Sequence, residues 1–340
     1  MKRIIYHICL CLSVISCSMA EYDMTLEGDR TGEVVITVGD TGLESKSTEV
    51  LDYEQVVRNV QVLAFDSGGK LAVYMNAGTR MSRLHVRLRA GDYDMWVMLN
   101  GPDCSRVRTL NALVRREVML GDWNSTNPAR GFLMVGHETA TVAAGRVSEV
   151  TVEVERLVSR VYVGNVTNDL PASFGDIFVQ GVFLANVVGN QYVGGGAPPR
   201  VWYNRYGSPT GVQGEYADGR YLKAECEDMT WRTVGRTIRR GETADLQANL
   251  YSYRNEVTDF PFFPEPFTRS GPVLFLYVRI DDKWYHLDKE LPVGLYENKT
   301  IRLDLQITGM STPGDKEIDI RITGCQVTPW QHVSSGNYEI

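Results

Sequence analysis

The sequence predicts a mainly β protein made of two tandem β-sandwich domains, with one short helix in the first domain. The chain has 340 residues, a length that suits about two domains of roughly 100–200 residues each. Hydrophobic residues make up 43% of the chain and aromatic residues 10%, so it can bury substantial cores. Many short apolar segments alternate with the two-residue period of a strand. Gly/Pro-rich turns separate them, as is typical of β-sandwiches.

Composition excludes several other classes of protein. Lysine and arginine total 35 against 42 for aspartate and glutamate, a formal charge of −7. A mildly acidic chain without a large basic block is not expected to bind nucleic acid. No apolar run reaches the roughly 18–20 residues of a membrane-spanning helix. Six cysteines in a chain this long do not form a disulfide scaffold.

The N-terminal residues have the features of a secretion signal. Two cations follow the first methionine, and an apolar stretch too short to span a membrane comes after them. This stretch ends in Val-Ile-Ser-Cys at residues 14–17, which resembles a bacterial lipobox. We therefore expect a lipoprotein signal peptide over 1–16 and lipidation at Cys17, with more than one acyl chain needed for stable anchoring. A conventional signal cut near Ala20, which would discard Cys17, is the alternative.

Strands dominate the first half of the chain after the signal. Val34, Ile36 and Val38 alternate on one side of the first strand, and a polar, exposed loop follows over 39–48. Segment 93–99 is apolar on both faces, so we expect it to lie inside a sheet. Further strands are predicted over 56–65, 70–75, 84–88 and 147–154.

One segment of the first domain departs from this alternation. Between residues 105 and 120, apolar residues recur at helical spacing, which predicts the short helix. Asp103 or Ser105 is placed to cap its start. The arginines between the apolar positions indicate a solvated helix face rather than a nucleic-acid site, because the whole chain is acidic.

The strand pattern restarts after residue 158, where we place the domain boundary. Residues 47–158 then form the N-terminal domain and 159–340 the C-terminal domain. Two stretches of the second domain, 189–219 and 260–272, are rich in glycine or proline and are not expected to form inner strands. Strands resume over 273–280, 284–287 and 300–308.

No pattern in the sequence predicts catalysis. No histidine after the signal has a second histidine or a cysteine three or four residues away, and neither HExxH, G-x-S-x-G nor CxxC occurs there. We therefore expect a protein that is not an enzyme, with no catalytic residue, no cofactor and no metal. The aromatic run over 202–206 is interpreted as a clamp for a long loop, and stacking on a sugar is the alternative.

The strictest alternation lies near the C-terminus. Ile318, Ile320 and Ile322 face one way, whereas Asp319 and Arg321 face the other. The conservative interpretation is the last strand of the chain's own second domain.

Segments in order along the chain resemble those of the Bacteroidia-type (type V) fimbrillins, pilus subunits that are secreted as lipoprotein precursors. The resemblance covers nearly the whole chain, although residues 189–272 match only loosely. The matching parts are Cys17, the first strand over 32–38, and the segments 60–66, 109–113, 155–161, 298–309 and 320–330.

The resemblance implies two transthyretin-like β-sandwich domains that polymerise by donor-strand exchange, a form of β-strand addition. In this family a protease cuts the loop after the first strand. The propeptide, 17–46 here, then leaves with the lipid and with the removable first strand. The C-terminal strand of another subunit, within about 316–340 here, fills the groove. The apolar residues implied for this donor strand are Ile318, Ile320, Ile322, Val327 and Trp330.

The same resemblance implies a structural subunit of a cell-surface fimbria that supports adhesion. Its expected partners are other copies of itself, other fimbrial subunits, a processing protease, and host glycans or proteins. The precursor is expected in the outer membrane as a lipoprotein. The family's cut usually follows an arginine, whereas this loop offers Lys46, which we predict as the cleavage site. If the protease requires arginine, the chain keeps its first strand and acts as a tip or anchor subunit. A glycan-binding outer-membrane lipoprotein is the remaining alternative.

Overall fold

The described part of the chain contains twenty strands, three short α-helices and one 3-10 helix, Asp52–Glu54. The computed structural model describes residues 30–39, 52–54, 56–79, 83–196, 200–205, 225–256, 271–312 and 315–330. The predicted lipidation residue Cys17, the predicted cleavage residue Lys46 and the C-terminal residues 331–340 lie outside these ranges.

The elements of the N-terminal half form a β-sandwich. They are β1 (Thr31–Gly39), β2 (Val60–Asp66), β3 (Leu71–Gly78), β4 (Leu84–Arg89), β5 (Gly91–Leu99), α1 (Leu110–Val114), β6 (Glu117–Met119), α2 (Leu120–Trp123), β7 (Met134–Val142), β8 (Val147–Glu153) and β9 (Glu155–Arg156). A five-stranded sheet in the order β3-β2-β5-β7-β9 packs against a three-stranded sheet in the order β4-β1-β8. Inner residues of both sheets, such as Ile36 and Val97, share one buried core. The inner position predicted for segment 93–99 is confirmed, because β5 lies between β2 and β7.

The C-terminal half repeats this architecture with two four-stranded sheets. Its elements are β10 (Val158–Asp169), β11 (Ile177–Ala185), β12 (Val187–Val188), β13 (Asn190–Tyr192), β14 (Trp202–Tyr203), α3 (Glu227–Thr230), β15 (Trp231–Ile238), β16 (Thr243–Tyr253), β17 (Val273–Ile280), β18 (Lys283–Glu290), β19 (Lys299–Thr312) and β20 (Asp315–Pro329). One sheet has the order β16-β10-β19-β20 and the other the order β15-β11-β17-β18. The predicted fold class, mainly β with paired sheets in each half, is confirmed.

The chain passes from the first pair of sheets to the second between Arg156 and Val158. The two halves are also joined by the small sheet of β6 and β13, in which Val118 pairs with Gln191. A hydrogen bond from Ser125 to Asp228 (2.7 Å) adds to this junction. The domain limits 47–158 and 159–340 stay predictions.

The helix predicted over 105–120 is wrong in extent. Only Leu110–Val114 is helical there, and its N-cap is Thr109, whose side chain accepts a hydrogen bond from the Ala112 amide at 3.2 Å. Asp103 instead accepts from the Ser105 amide and hydroxyl in a local turn. The periodicity misleads because Val118 belongs to β6, where pairing with a distant strand outweighs local spacing. The first domain therefore holds two short helices, α1 and α2, rather than one.

Several features bear on which chemistry the described residues can perform. Within the described ranges, no helix is both long and apolar enough to cross a membrane. No cluster of three or more His, Cys, Asp or Glu in these ranges is arranged to hold a metal ion. The cysteines of the described part, Cys104, Cys226 and Cys325, are free thiols.

Candidate assembly site: the first-strand groove and the terminal strand

The first strand, β1, is the middle strand of its sheet. It pairs antiparallel with β4, with Val34 opposite Val86, and parallel with β8, with Ile36 opposite Val150. In this sheet β4 and β8 are joined only through β1. We call the slot between β4 and β8 the first-strand groove. Among the described strands, the occupant of this groove is therefore the one that closes this sheet of the sandwich.

The inner face of β1 is fully enclosed. Val34 and Ile36 are 0% exposed and Val38 is 2% exposed. Full burial of such side chains contributes about 1.5–3 kcal/mol each, and β1 adds hydrogen-bond ladders on both edges. Loss of β1 would open an apolar groove and leave two unpaired strand edges.

One end of the first-strand groove accepts only glycine. A Cβ atom at Gly32 would lie 2.3 Å from the main-chain oxygen of Ala143. Because this obstacle is backbone rather than a flexible side chain, any replacement strand needs a glycine at that position.

The outer rim of the groove is polarised. On the β4 side, Arg83 forms an ion pair with Glu149 of β8, and His85 contacts the Glu33 carboxylate of β1. The β4 side therefore presents a cation and the β8 side a carboxylate to the outer face of the strand between them. These exposed pairs contribute little to stability individually.

The terminal strand, β20, lies at the edge of its sheet and pairs only with β19 among the described strands. Ile320 is 1% exposed, whereas Ile318 and Ile322 are half-buried against the core and Val327 is 46% exposed. The ladder shifts register beside Thr323, between the pairs Leu305–Ile322 and Asp304–Gly324. The predicted donor isoleucines thus lie on one face of an edge strand.

Trp330 directly follows β20 and, unlike the exposed Val327, is fully buried. Its side chain is 0% exposed, and its indole Nε1 donates to Glu54 Oε2 at 3.2 Å. The ring stacks on Tyr251 at a centroid distance of 5.7 Å. The guanidinium carbons of Arg156 and Arg160 lie 4.8 and 5.0 Å from the ring centroid. Trp330 is therefore an internal residue of the free chain, held at the junction of the two halves.

Glu54 is the centre of this junction cluster. Its carboxylate is 0% exposed and accepts from Arg160 Nη1 at 3.1 and 2.8 Å and from the Tyr251 hydroxyl at 2.8 Å. Arg156 donates to the Glu54 main-chain oxygen at 2.7 Å. Burial, followed by the nearby Glu54 charge, raises the pKa of Tyr251 well above its usual value. We name Glu54, Arg156, Arg160, Tyr251 and Trp330 the Glu54 cluster.

Reasoning from the sequence missed this cluster. Residues 155–161 alternate as a strand, and the two arginines, Arg156 and Arg160, share a parity within it. Both are 1% exposed, so charged residues recurring in a buried strand were the available signal. Glu54 offered none, because its partners are distant in the chain.

The aromatic run over 202–206 is packed into the fold at its first residue. Trp202 is 9% exposed and pairs with Val188 in a short two-stranded sheet. A buried ring offers no free face for stacking on a sugar. Tyr206 lies outside the described residues.

The arrangement of two sandwiches in tandem, each of paired sheets, is similar to that of solved cell adhesion and fimbrial proteins from the Bacteroidales. No protein-family model matches the sequence, and no curated protein matches it. Several solved structures have a similar fold, at low sequence identity.

A candidate cell adhesion protein from Parabacteroides distasonis has a TM-score of 0.60 at 13% identity, over 91% of this chain and 99% of that one. The fimbrilin FimA from Porphyromonas gingivalis W83 has a TM-score of 0.57 at 13% identity, over 91% and 99%. The tip fimbrial protein Mfa3 from Porphyromonas gingivalis, truncated at its C-terminus, has a TM-score of 0.54 at 14% identity, over 88% and 100%. The resemblance to fimbrial proteins is thereby confirmed at the level of the fold.

Proposed function

We propose that this protein is a structural subunit of a cell-surface fimbria that polymerises by donor-strand exchange and supports adhesion. The observation that carries the proposal is the position of β1, which alone closes the sheet between β4 and β8. A strand held in this way can be exchanged for another without rearranging its neighbours. The fimbrial proteins among the structures of similar fold support the same function.

In this proposal β1 is a temporary occupant. The chain is exported as a lipoprotein precursor lipidated at Cys17, and a trypsin-like protease cuts after Lys46. Residues up to 46 then leave with β1, and the first-strand groove opens. Because an open groove would be an adhesive edge, retention of β1 until cleavage prevents premature assembly.

The donor is β20 of a second copy, with Ile318, Ile320, Ile322, Val327 and Trp330 as its apolar residues. In the free chain, residues 318–324 make six pairings with β19. The occupant of the groove makes six with β4 and seven with β8. Transfer therefore about doubles the number of strand pairings that this segment makes, and each added hydrogen bond contributes about 0.5–1.5 kcal/mol. It also completes the burial of the half-buried isoleucines.

Two contributions oppose the transfer and hold the unprocessed chain as a monomer. The flanking parts of β20 give up their pairing with β19. Trp330 must also leave the Glu54 cluster, where it is fully enclosed. The exchange is favourable only when an empty groove is offered, which ties assembly to cleavage.

The test uses the lipid-free precursor, residues 18–340, treated with a trypsin-like protease. We expect a ladder of heat-labile oligomers on denaturing gels of unheated samples. Two matched variants are expected to give no ladder: one lacking residues after Gly314, and one carrying Lys46→Gln. Continued polymerisation of the chain that lacks β20 would contradict the proposal.

A tip or anchor subunit is the second candidate, and the similarity to a tip fimbrial protein favours it. The predicted cleavage loop also offers lysine where arginine is usual. N-terminal sequencing of the surface-exposed protein separates the two roles. A start at Ser47 supports a shaft subunit, whereas a lipidated start at Cys17 supports an anchor.

A further inference from the structure

The inner residues of β1 and alternate residues of β20 match in reverse order along the sequence. Along β1 the inner positions are Gly32, Val34, Ile36 and Val38. Along β20, the corresponding alternate residues in sequence are Ile318, Ile320, Ile322 and Gly324. In the free chain the bulge at Thr323 sets Gly324 opposite Asp304, on the other face from the isoleucines, so a strand that is regular through Thr323 is needed to bring all four to one face of the groove. Both rows consist of one glycine and three branched aliphatic residues, but the glycine comes first in β1 and last in β20.

The glycine position distinguishes two ways of seating the donor strand. With the direction of β1 kept, the isoleucines cover Val34, Ile36 and Val38, and Lys316 falls on the Gly32 position. A side chain there meets the Ala143 main-chain oxygen, since even a Cβ atom lies 2.3 Å from it. With the direction reversed, the isoleucines fill the same sites and Gly324 falls on the Gly32 position.

A shift of register does not rescue the unreversed direction. If Gly324 is placed on Gly32 without reversal, Gln326 and Thr328 fall on the sites of Val34 and Ile36. Those two sites are 0% exposed, and burial of polar side chains without partners is costly.

The charges on the outer rim favour the same orientation. Val35 lies opposite Glu149 in the ladder with β8. The β4 ladder pairs Ile36 with Leu84, so the Thr37 position continues to Arg83. In the reversed strand Arg321 takes the position beside Glu149, and Asp319 takes the position beside Arg83. Opposite charges directly across strands stabilise the pairing.

The unreversed strand inverts these contacts. Asp319 would then lie beside Glu149 and Arg321 beside Arg83, which makes two like-charge pairs. Glu317 would take the Glu33 position, where a carboxylate contacts His85. The unreversed strand would thus make one favourable contact and two like-charge pairs. Backbone hydrogen bonding does not favour either direction of the donor strand, because each direction is antiparallel to one neighbour and parallel to the other, as β1 itself is.

We propose that residues 318–324 of a second copy enter the first-strand groove antiparallel to the β1 that they replace, with Gly324 on the Gly32 position and Arg321 beside Glu149. This inference rests on the proposed donor-strand function and adds its polarity and register.

Disulfide trapping between two copies tests the polarity. The acceptor carries Glu149→Cys and the donor carries either Arg321→Cys or Asp319→Cys, all with Cys325→Ser to remove the exposed thiol. Residues directly opposite in neighbouring strands lie within the roughly 4.4–6.8 Å Cα separation that a disulfide requires. After processing and mixing under oxidation, we expect a covalent dimer with the Arg321→Cys donor only. A dimer with Asp319→Cys instead, or with neither donor in a polymer that forms normally, would overturn the inference.

Gly324→Ala supplies an independent measurement. In the free chain its Cβ would meet only the Asp304 side chain, at 3.2 Å and beyond, so folding is expected to be unchanged. In the groove the same Cβ meets main chain, and assembly is expected to slow at least about tenfold. Thr323→Ala, on the exposed neighbour, is the matched control and should assemble normally. Assembly of Gly324→Ala at the unaltered rate would overturn the register. Absence of polymer from the unaltered protein would instead refute the proposed function, and this inference with it.

Discussion

Glu54 carries its charge into a fully enclosed site, and the groups around it offset the cost of burial. Arg160 and Tyr251 satisfy the carboxylate, and the indole of Trp330 supplies a further donor. Removing one partner of a buried ion pair is far more costly than never forming the pair, because the remaining charge stays without compensation. The cluster is therefore sensitive to single substitutions.

The Glu54→Gln variant of the precursor is expected to lose about 3–5 kcal/mol of the free energy of unfolding, because Arg160 is left buried without its counter-ion. Urea denaturation monitored by tryptophan fluorescence measures the loss. The control is Glu155→Gln at an exposed position, which should change stability by less than about 0.5 kcal/mol. Equal stability of the two variants would argue against a structural role for the Glu54 charge.

The Trp330→Phe variant tests the contribution of the indole N–H separately from that of ring packing. The aromatic packing and the cation–π contacts are retained, but the donor to Glu54 is lost, at a cost of about 1–3 kcal/mol. Because this contact holds the end of β20, we expect cleaved Trp330→Phe protein to polymerise faster than the unaltered protein. Light scattering after protease addition measures the rate. A slower rate would indicate that the indole N–H is needed in the polymer instead.

At the scale of elements, alternation of apolar residues was a sufficient guide to most strands. The strand predicted over 273–280 coincides with β17, and the inner position of 93–99 follows from its two apolar faces. Helical periodicity failed at Val118, since its strand partner is distant. The contact between Glu54 and Trp330 spans 276 residues, and no local pattern predicts such a pair. The central position of β1 likewise depends on which distant strands flank it, so its alternation predicted a strand but not its place between β4 and β8.

The proposed transient role of β1 would give Ile36 a distinctive mutational signature. Ile36→Ala should destabilise the uncleaved precursor by about 2–5 kcal/mol, because the residue is fully buried. The same variant should form polymers of normal heat stability if β1 leaves on cleavage, as proposed. Thr37→Ala, on the outer face of the same strand, is the control and should alter neither state appreciably. A polymer weakened by Ile36→Ala would show that β1 is retained.

At the scale of the whole molecule, several tyrosines make stability depend on alkaline pH. Burial raises the pKa of Tyr74 to about 12 and also raises the pKa values of Tyr251 and Tyr253. An unfolded tyrosine titrates near pH 10, so above that pH the unfolded chain binds fewer protons than the folded one. The stabilisation from these groups is thus complete below about pH 10 and is lost as the pH rises towards the folded values.

We therefore expect the free energy of unfolding to fall steeply between about pH 10 and pH 12. Urea titrations at several pH values, with tyrosinate absorbance followed in parallel, measure this. The buried tyrosines, Tyr251 and Tyr253 among them, should ionise together with unfolding rather than before it. A folded protein in which every tyrosine titrates near pH 10 would contradict the enclosure of these rings.

The central position of β1 has a mechanical consequence for any fibre assembled through it. A strand flanked on both edges and pulled along its own axis loads all of its ladder hydrogen bonds at once, in shear, rather than opening them one after another from an end. Tension on such a fibre would be shared between the ladder with β4 and the ladder with β8 at each contact between subunits. The joints would then resist drag from flowing liquid even though no covalent bond connects one subunit to the next.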